Sequence, residues 1–313
     1  MNEYLIRTDH LTRSFKKVTA VNDVSFEVPA GIVFGFLGPN GSGKTTTIRL
    51  LLGVLEPTSG RAEVLGFDTR THSDSIRPLC GALLEHTGLY ERLSAEDNLE
   101  FYGRVWQLPA AERQARIKEL LNGLGLYDRR KETVGNWSRG MKQKLAVARA
   151  MLHRPRLLFL DEPTAGLDPV SAAALREDLA ALSRQQGTTV FLTTHNLAEA
   201  EKLCSQVAVI DQGKLVTIGS PDELRMRQGG GVLEVVGGGF TAEIIAHLRG
   251  LPEVEKVEQL DHHVTLHFKG QPDTAPMVRW MIENGIQIDE VRKGQDSLED
   301  VFLSLVEKDN ELR

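Results

Sequence analysis

The strongest constraint on how this chain folds is a glycine-rich loop near the N-terminus. The apolar run Ile32–Leu37 before it has the length of a buried strand, and a helix is predicted over Thr45–Leu52 after it. Between them the pattern GxxxxGK[ST] is matched by Gly38-Pro39-Asn40-Gly41-Ser42-Gly43-Lys44-Thr45. A strand, such a loop and a helix in this order predict a phosphate-binding site at the end of a strand.

The residue types in this loop suit a nucleotide. Glycines allow backbone N–H groups to surround phosphate oxygens, and the N-terminus of the following helix attracts the same anion. The Lys44 amine has the reach to contact the β- and γ-phosphates, and the Thr45 hydroxyl is a ligand that Mg²⁺ accepts. We therefore predict that the loop binds a nucleoside triphosphate together with Mg²⁺.

Two carboxylates follow a second apolar run. Leu157–Leu160 predicts a buried strand, and Asp161 and Glu162 come directly after it. A Mg²⁺ ligand is needed at the end of a strand beside the phosphate loop, and Asp161 fits this position. Glu162 points differently and is placed to polarise a water for attack on the γ-phosphate. Without the phosphate loop, an ordinary acidic strand end would be the better explanation of the pair.

Strands and helices alternate along the chain, which predicts an α/β fold with a mostly parallel sheet covered on both faces. Two short strands are predicted at Tyr4–Arg7 and Val24–Val28. Residues from about 88 to 152 carry helical spacing instead of this alternation. They form a predicted helical subdomain inserted into the α/β core.

Three glycines at 229–231 predict a flexible linker and therefore a domain boundary. We predict a nucleotide-binding domain over residues 1–228 and an accessory domain over residues 229–313. Beyond the linker the patterns indicate strand, helix, strand, strand, helix and strand, which is the ferredoxin-like order of a small α+β domain. A further helix is predicted over Leu298–Val306.

The composition argues against several classes of protein. The formal net charge is −6, so a basic face for nucleic acid is not expected. Cys80 and Cys204 lack the spacing of a zinc site or a disulfide framework. The N-terminal residues do not resemble a secretory signal, and no run reaches the roughly 20 apolar residues that a membrane helix needs. We expect a protein of the cytoplasm that is soluble or peripheral to a membrane.

Together these features resemble the nucleotide-binding subunits of ABC transporters over about residues 4–225. The resemblance rests on the phosphate loop, on the strand ending in Asp161 and Glu162, and on the segment Trp137–Met141 between them. It implies a RecA-like parallel sheet with an antiparallel β edge and a helical subdomain. It also implies ATP and Mg²⁺ as cofactors, Mg²⁺-dependent ATP hydrolysis, and a homodimer or heterodimer that holds two ATP molecules between its subunits.

The resemblance assigns roles to further residues. Phe15 stands where an aromatic side chain stacks on adenine, and Ser138 and Gly140 match the signature motif LSGGQ, which faces the ATP of the other subunit. The implied nucleotide contacts are Phe15, Gly38, Pro39, Asn40, Gly41, Ser42, Gly43, Lys44, Thr45, Thr46, Ser138, Gly140 and the D-loop residue Asp168. The implied catalytic residues are Glu162 and the switch histidine His195, and the implied metal ligands are Thr45, Asp161 and Glu85.

The chain departs from the family pattern at two places. In the signature, Arg139 replaces the first of the two glycines and Met141 replaces the final glutamine. A serine before a helix is also an ordinary N-cap, so a plain capped helix explains Ser138 locally. Glu85 stands where a glutamine is expected near Mg²⁺. Its charged oxygen binds metal more strongly than an amide does, and a solvated surface glutamate is the alternative.

The C-terminal segment around Ser297–Phe302 resembles the accessory domain of ABC-2-type export ATPases. This implies export through a separate transmembrane permease subunit, at the cytoplasmic face of the cell membrane. The alternative is a soluble ABC ATPase that acts on ribosomes or DNA. Soluble ABC ATPases that resemble translation factors carry two nucleotide-binding domains in one chain, and those that resemble chromosome and repair proteins carry long coiled-coil inserts. This acidic chain has one phosphate loop and no heptad insert. A regulator without turnover is disfavoured by the presence of Glu162 and His195.

Overall fold

The computed structural model places the glycine-rich loop at the end of a strand in the first of two units. The units span Met1–Gly219 and Ser220–Arg313. The structure describes residues 4–228, 231–270, 273–295 and 298–299. The predicted boundary after Gln228 lies at the end of the first helix of the second unit.

The first unit consists of strands and α-helices that alternate over most of its length. In chain order they are β1 (Tyr4–Phe15), β2 (Val18–Val24), β3 (Glu27–Pro29), β4 (Val33–Leu37), α1 (Lys44–Leu51), β5 (Ser59–Val64), β6 (Phe67–Asp68), α2 (Ser73–Ile76), β7 (Cys80–Leu83), α3 (Ala95–Val105), α4 (Ala110–Gly123), α5 (Arg139–Met151), β8 (Leu157–Asp161), α6 (Pro169–Gln186), β9 (Thr189–Thr194), α7 (Leu197–Leu203), β10 (Gln206–Asp211) and β11 (Lys214–Gly219).

A six-stranded sheet forms the centre of this unit, in the order β11-β10-β4-β9-β8-β7. Its strands are parallel except for the edge strand β11, which is antiparallel to β10. Every residue of β4, β8 and β9 is buried, because both faces of a parallel sheet are covered. This confirms the predicted α/β fold, and it brings the carboxyl ends of three neighbouring strands to one edge.

A second sheet is antiparallel, in the order β2-β1-β5-β6, with β3 also paired to β1. The sequence predicts only Tyr4–Arg7 at its start, whereas β1 continues to Phe15 and pairs with β2 through a tight turn. The second half of β1 is partly exposed, so its residues are mostly polar and lack an apolar pattern.

Five phenylalanines pack at the heart of the first unit, with ring centroids 5.5 to 6.2 Å apart. They are Phe26, Phe34, Phe36, Phe159 and Phe191. Four of them lie on β4, β8 and β9. Large buried rings in mutual contact resist displacement of one strand against the next, so this cluster fixes the strand ends that carry the site.

The helices α3, α4 and α5 lie between β7 and β8 in the chain, within the predicted helical subdomain. Ser94 caps α3 by accepting a hydrogen bond from the Asp97 N–H. Helix α5 packs on β7 and α6, which ties the subdomain to the central sheet.

The second unit contains a four-stranded antiparallel sheet. Its elements are α8 (Pro221–Gln228), β12 (Gly231–Gly238), α9 (Ala242–Arg249), β13 (Val254–Leu260), β14 (His263–Phe268), α10 (Thr274–Glu283) and β15 (Gln287–Gln295). The sheet order β13-β14-β12-β15 and the succession β-α-β-β-α-β confirm the ferredoxin-like prediction. The predicted helix Leu298–Val306 lies outside the described residues apart from Leu298 and Glu299.

No helix in the described parts of the chain combines the length and the apolarity needed to cross a bilayer.

Candidate nucleotide and metal site

The phosphate loop links β4 to α1 and depends on glycine at specific positions. Gly43, the N-cap of α1, has φ 109°, and Gly41 has φ 82°. A Cβ at Gly43 would lie 2.2 Å from the carbonyl oxygen of Ala20, and one at Gly38 would lie 2.1 Å from that of Ile210. The loop therefore cannot carry side chains at these positions, and its backbone can approach an anion closely.

A pocket opens at this loop, and its lining includes several predicted nucleotide contacts. The lining residues are Ala20, Asn40, Gly41, Gly43, Lys44, Thr45, Thr46 and Glu162. The Ser42 hydroxyl is buried and has no hydrogen-bond partner among the described residues. Glycine backbone, the start of a helix and a lysine around one pocket fit the phosphates of a nucleotide.

Lys44 is nearly buried and points into this site. Its Nζ donates hydrogen bonds to the carbonyl oxygens of Gly38 at 2.7 Å and of Pro39 at 3.0 Å. The same amine lies 3.2 Å from Oε1 of Glu162. The ammonium group is thus held by the loop itself and faces the proposed general base.

Asp161 joins the strand end to the phosphate loop. Its Oδ2 accepts a hydrogen bond from Thr45 Oγ1 at 2.6 Å, and its Oδ1 accepts one from Thr193 Oγ1 at 2.5 Å. A carboxylate and a hydroxyl side by side are the hard oxygen donors that Mg²⁺ prefers, so the donor set fits this metal. No group of three or more His, Cys, Asp or Glu side chains suited to a metal occurs among the described residues. A bound Mg²⁺ would therefore need phosphate or water oxygens as well.

Glu162 follows β8 in a left-handed backbone conformation, with φ 49°. Its N–H donates to both the carbonyl oxygen and Oγ1 of Thr193, each at 3.1 Å. Its Oε2 lies 2.9 Å from Nδ1 of His195, which follows β9 and has a side chain 53% exposed. The parallel pairing of β8 and β9 thus brings Glu162 and His195 together, and their catalytic roles stay predictions.

The signature residues lie at the start of α5. Ser138 is its N-cap and accepts a hydrogen bond from the Met141 N–H at 3.2 Å. Gly140 is buried against α6, since a Cβ there would lie 2.8 Å from Ser171 Oγ. The Arg139 guanidinium covers Gly166, where a Cβ would lie 2.3 Å from Nη1. The arginine that departs from the family pattern therefore packs onto the loop before α6.

Asp168 is the N-cap of α6 and accepts hydrogen bonds from the N–H groups of Val170 at 3.1 Å and Ser171 at 2.9 Å. Hydrogen bonds from Ser171 lower the pKa of this carboxyl below its usual range. The side chain is therefore charged at neutral pH and orients the start of α6 beside the signature.

Phe15 and Glu85 lie at the surface. The Phe15 ring is 41% exposed at the end of β1, and the Arg13 guanidinium carbon lies 4.6 Å from its centroid. Glu85, in the loop after β7, forms an ion pair with Arg49 of α1 at 3.3 Å, and its side chain is 59% exposed. Glu85 thus pairs with an arginine in this structure, and the role of Glu85 as a metal ligand stays a prediction.

Sequence reasoning missed Thr193, which holds both Asp161 and Glu162 in place. Asp161 and Thr193 are directly paired in the register of β8 and β9. The only signal in the sequence is a threonine inside an apolar strand two positions before His195. The register between two strands cannot be predicted from the sequence of either strand alone, so this contact could not be predicted from the sequence.

Comparisons with known proteins agree with this geometry. The family model "ABC transporter" matches residues 21–165, and the model "ATP-binding protein DrrA1-3-like, C-terminal domain" matches residues 219–306. The chain is 33% identical to the bacitracin transport ATP-binding protein BcrA of Bacillus licheniformis, over 96% of this chain and 97% of that protein. It is 34% identical to the daunorubicin resistance ATP-binding protein DrrA3 of Streptomyces coeruleorubidus, over 100% and 99%.

Among solved structures, cbiO1 from Clostridium perfringens, part of the ABC transporter complex cbiONQ, superposes with a TM-score of 0.67 at 26% identity, covering 71% of this chain and 91% of that chain. An ATP-binding subunit of an ABC transporter gives a TM-score of 0.63 at 30% identity, covering 71% and 92%. The fold, the site and the relatives agree, and the C-terminal domain identifies the branch. The chain belongs to the ATP-binding, ATP-hydrolysing subunits of ABC transporters, in the ABC-2-type export branch.

Proposed function

We propose that this subunit uses Mg²⁺-dependent ATP hydrolysis to power export through a separate transmembrane permease at the cytoplasmic face of the membrane. One observation carries the proposal. Two sets of side-chain contacts lie next to each other at the ends of three neighbouring strands. Thr45 contacts Asp161 at 2.6 Å, and Glu162 contacts both Lys44 at 3.2 Å and His195 at 2.9 Å. They supply a cation for phosphate, oxygen ligands for a metal and a carboxylate for a proton in one place.

In this proposal the loop Gly38–Thr46 binds the phosphates through backbone N–H groups and the Lys44 amine. In the structure the amine contacts two loop carbonyls and Glu162, so it must turn from these partners to reach a phosphate. The Phe15 ring, which is 41% exposed, is the proposed surface on which adenine stacks. Thr45 and Asp161 would hold Mg²⁺, which neutralises charge on the phosphate oxygens when it is bound. Glu85 is a further candidate ligand.

Glu162 is the proposed general base. Its Oε1 faces Lys44 at 3.2 Å and its Oε2 faces His195 Nδ1 at 2.9 Å. When the Lys44 amine turns to phosphate, Oε1 becomes available to accept the proton of the attacking water. His195 keeps the carboxylate oriented through Oε2. The strained φ of Glu162 agrees with a residue held in place for chemistry.

A second nucleotide-binding subunit completes the proposed site, as a homodimer or a heterodimer. Ser138 is exposed at the N-terminus of α5, a position suited to a phosphate held by the other subunit. Gly140 and Asp168 shape the surface beside it through their contacts with Ser171. We propose no nucleic-acid partner, because the net charge is −6.

The decisive experiment replaces the base and leaves the binding groups intact. Glu162→Gln keeps the shape of the side chain and cannot take a proton, so we expect retained ATP binding and a loss of turnover on the order of 10²- to 10⁴-fold. Lys44→Ala is the matched control, because it removes the cation and should abolish tight binding of labelled ATP. ATP with Mg²⁺ should hold the Glu162→Gln protein as a dimer in light scattering. Normal turnover of this variant would refute the assigned base.

The competing functions predict other outcomes. A soluble ABC ATPase would show no change in turnover when membranes containing the permease are added. A regulator without turnover would show no ATPase activity with the permease present. Export predicts that turnover rises with the permease and depends on Glu162.

A further inference from the structure

A second set of contacts joins the two chain segments that carry Glu162 and His195. Glu199, in the first turn of α7, accepts a hydrogen bond at Oε2 from the Thr164 hydroxyl at 2.5 Å. Its Oε1 lies 2.7 Å from Nη1 of Arg176 in α6. The side chains of Glu199 and Arg176 are only 17% and 20% exposed. The carboxylate is thus shielded from water and satisfied by two donors from two different elements.

These contacts lie beside the proposed catalytic pair in the chain. Thr164 follows Glu162 by two residues, and Glu199 follows His195 by four. The segment after β8 and the segment after β9 are therefore joined twice, once by Glu162 and His195 and once by Thr164 and Glu199. Two links between two short segments restrict their relative movement more than one link does.

The contact between Thr164 and Glu199 is supported by two helices. The Glu199 N–H donates to Asn196 Oδ1 at 3.1 Å, so the glutamate belongs to a capped helix start. Arg176 projects from the 18-residue helix α6. Thr164, in contrast, lies in the turn after the strained Glu162, where the Ala165 N–H donates to the Glu162 carbonyl at 3.1 Å. Helices α6 and α7 thus hold the turn after β8, and this turn follows directly on Glu162, the proposed general base.

Resting on the proposed function, we infer that Glu199 is a positioning residue that acts through Thr164 on the Glu162 carboxylate. It holds the turn after β8 against α7 and so sets the distance between Glu162 and His195. The phosphate loop makes none of these contacts. Loss of the link should therefore lower kcat and leave KM for ATP unchanged.

The test uses Thr164, because removing Glu199 itself would leave Arg176 without its carboxylate and could unfold the protein. Thr164→Val removes the hydroxyl and keeps the shape, whereas Thr164→Ser keeps the hydroxyl. In the full chain we expect Thr164→Val to lower kcat on the order of 10- to 100-fold at unchanged KM, since small misplacements of a catalytic group have effects of this size. Thr164→Ser should recover most of the activity.

A second readout needs no turnover. The side-chain ¹⁵N signals of His195 in the nucleotide-free full chain, assigned with His195→Ala, report its contact with Glu162. We expect Thr164→Val to shift them toward their positions in Glu162→Gln, and Thr164→Ser to leave them in place. Glu100→Gln is the matched control, because Glu100 pairs with Arg113 at 2.7 Å with side chains 25% and 12% exposed, away from the site. It should lower Tm and change neither kcat nor the His195 signals.

Two failures are distinguishable. If Thr164→Val keeps both kcat and the His195 signals while Glu162→Gln is inactive, the positioning role is wrong and the proposed base stands. If Glu162→Gln hydrolyses ATP normally, the proposed function itself is wrong.

Discussion

At the scale of single residues, the site depends on backbone conformations that most side chains avoid. Glu162 has φ 49°, which costs a non-glycine residue on the order of 1–3 kcal/mol. The two hydrogen bonds from its N–H to Thr193 hold it there. Gly166 has φ 69°, a conformation that favours glycine, and the Arg139 guanidinium packs over the space that its missing side chain leaves. The loop before α6 thus accommodates Arg139, which stands where the family's signature has a glycine.

The residue-scale prediction concerns Glu85 and magnesium. If Glu85 contacts the metal, Glu85→Gln supplies a neutral and weaker ligand, so we expect turnover to be retained with the Mg²⁺ optimum shifted upward. Glu85→Ala should shift it further, because no oxygen remains. The measurement is a Mg²⁺ titration of ATPase activity for the parent and both variants. Arg49→Gln is the control for loss of the surface pair, which should change the free energy of unfolding by less than about 1 kcal/mol. Three superimposable titrations would leave Glu85 as a surface residue.

At the scale of elements, the N-cap of helix α5 combines a structural role with a proposed functional one. Ser138 caps the helix, and the same N-terminus is proposed to face the phosphate of a second subunit. Both depend on the free N–H groups of the first turn. The two roles can be separated by a side chain at position 138 that still caps α5 but repels a phosphate.

Two substitutions at Ser138 make this separation. Ser138→Ala removes the cap and should lower the free energy of unfolding by about 1 kcal/mol. Ser138→Asp keeps a good cap and suits the helix dipole, so stability should be retained. Its negative charge should nevertheless repel the phosphate and abolish hydrolysis. Thermal unfolding and ATPase assays give the two readouts, and normal hydrolysis by the aspartate variant would remove the phosphate role.

His153 joins three elements and makes stability depend on pH. Its ring stacks on Trp106 with centroids 4.0 Å apart, and its Nε2 contacts the Cys80 carbonyl oxygen at 3.0 Å. Burial lowers the pKa of His153 below its usual value of about 6.5. The neutral ring therefore stabilises the fold above pH 6.5, and this contribution is lost as pH falls from there through the lowered pKa. Nearby Arg116 and Arg149 act in the same direction.

The corresponding prediction uses His153→Gln, which offers a donor and does not titrate. The free energy of unfolding of the parent should fall more steeply than that of the variant between pH 6.5 and 5, as followed by urea denaturation. Parallel curves for the two proteins would contradict a neutral, buried histidine.

At the scale of the whole molecule, each unit has its own apolar core. The first is built around the phenylalanine cluster, and the second around buried residues of its sheet and helices such as Leu233, Leu266 and Met281. All strands from β1 to β11 lie before Ser220. The first unit therefore contains every element of both its sheets.

We expect a chain ending at Gly219 to fold and to bind ATP with the affinity of the full chain. A chain ending at Gln228, the boundary predicted from the sequence, should be no more stable, because α8 belongs to the second unit. Circular dichroism melting and binding of a labelled nucleotide compare the two truncated proteins. A chain ending at Gly219 that aggregates, while the longer one folds, would move the boundary to the glycine linker.

Much of this architecture could be predicted from the sequence because its determinants are local. Apolar runs and helical spacing predicted the α/β fold and the ferredoxin-like order of the second unit, since burial on one or both faces is visible as periodicity. The phosphate-binding loop Gly38–Thr45 could be predicted for a similar reason. Its function needs glycines and a lysine at fixed spacing along the chain, so the whole signal lies within eight residues.

The tertiary structure alone decided which distant side chains meet. The pairing of Asp161 with Thr193, the Arg139 guanidinium over Gly166 and the Thr164–Glu199 contact each depend on strand register or helix placement. The polar half of β1 likewise became a strand only through its partners. Local patterns record whether a residue is buried, whereas contacts between segments depend on how the buried surfaces fit together. The sequence thus determined the fold class and the phosphate loop, and packing determined what surrounds the base.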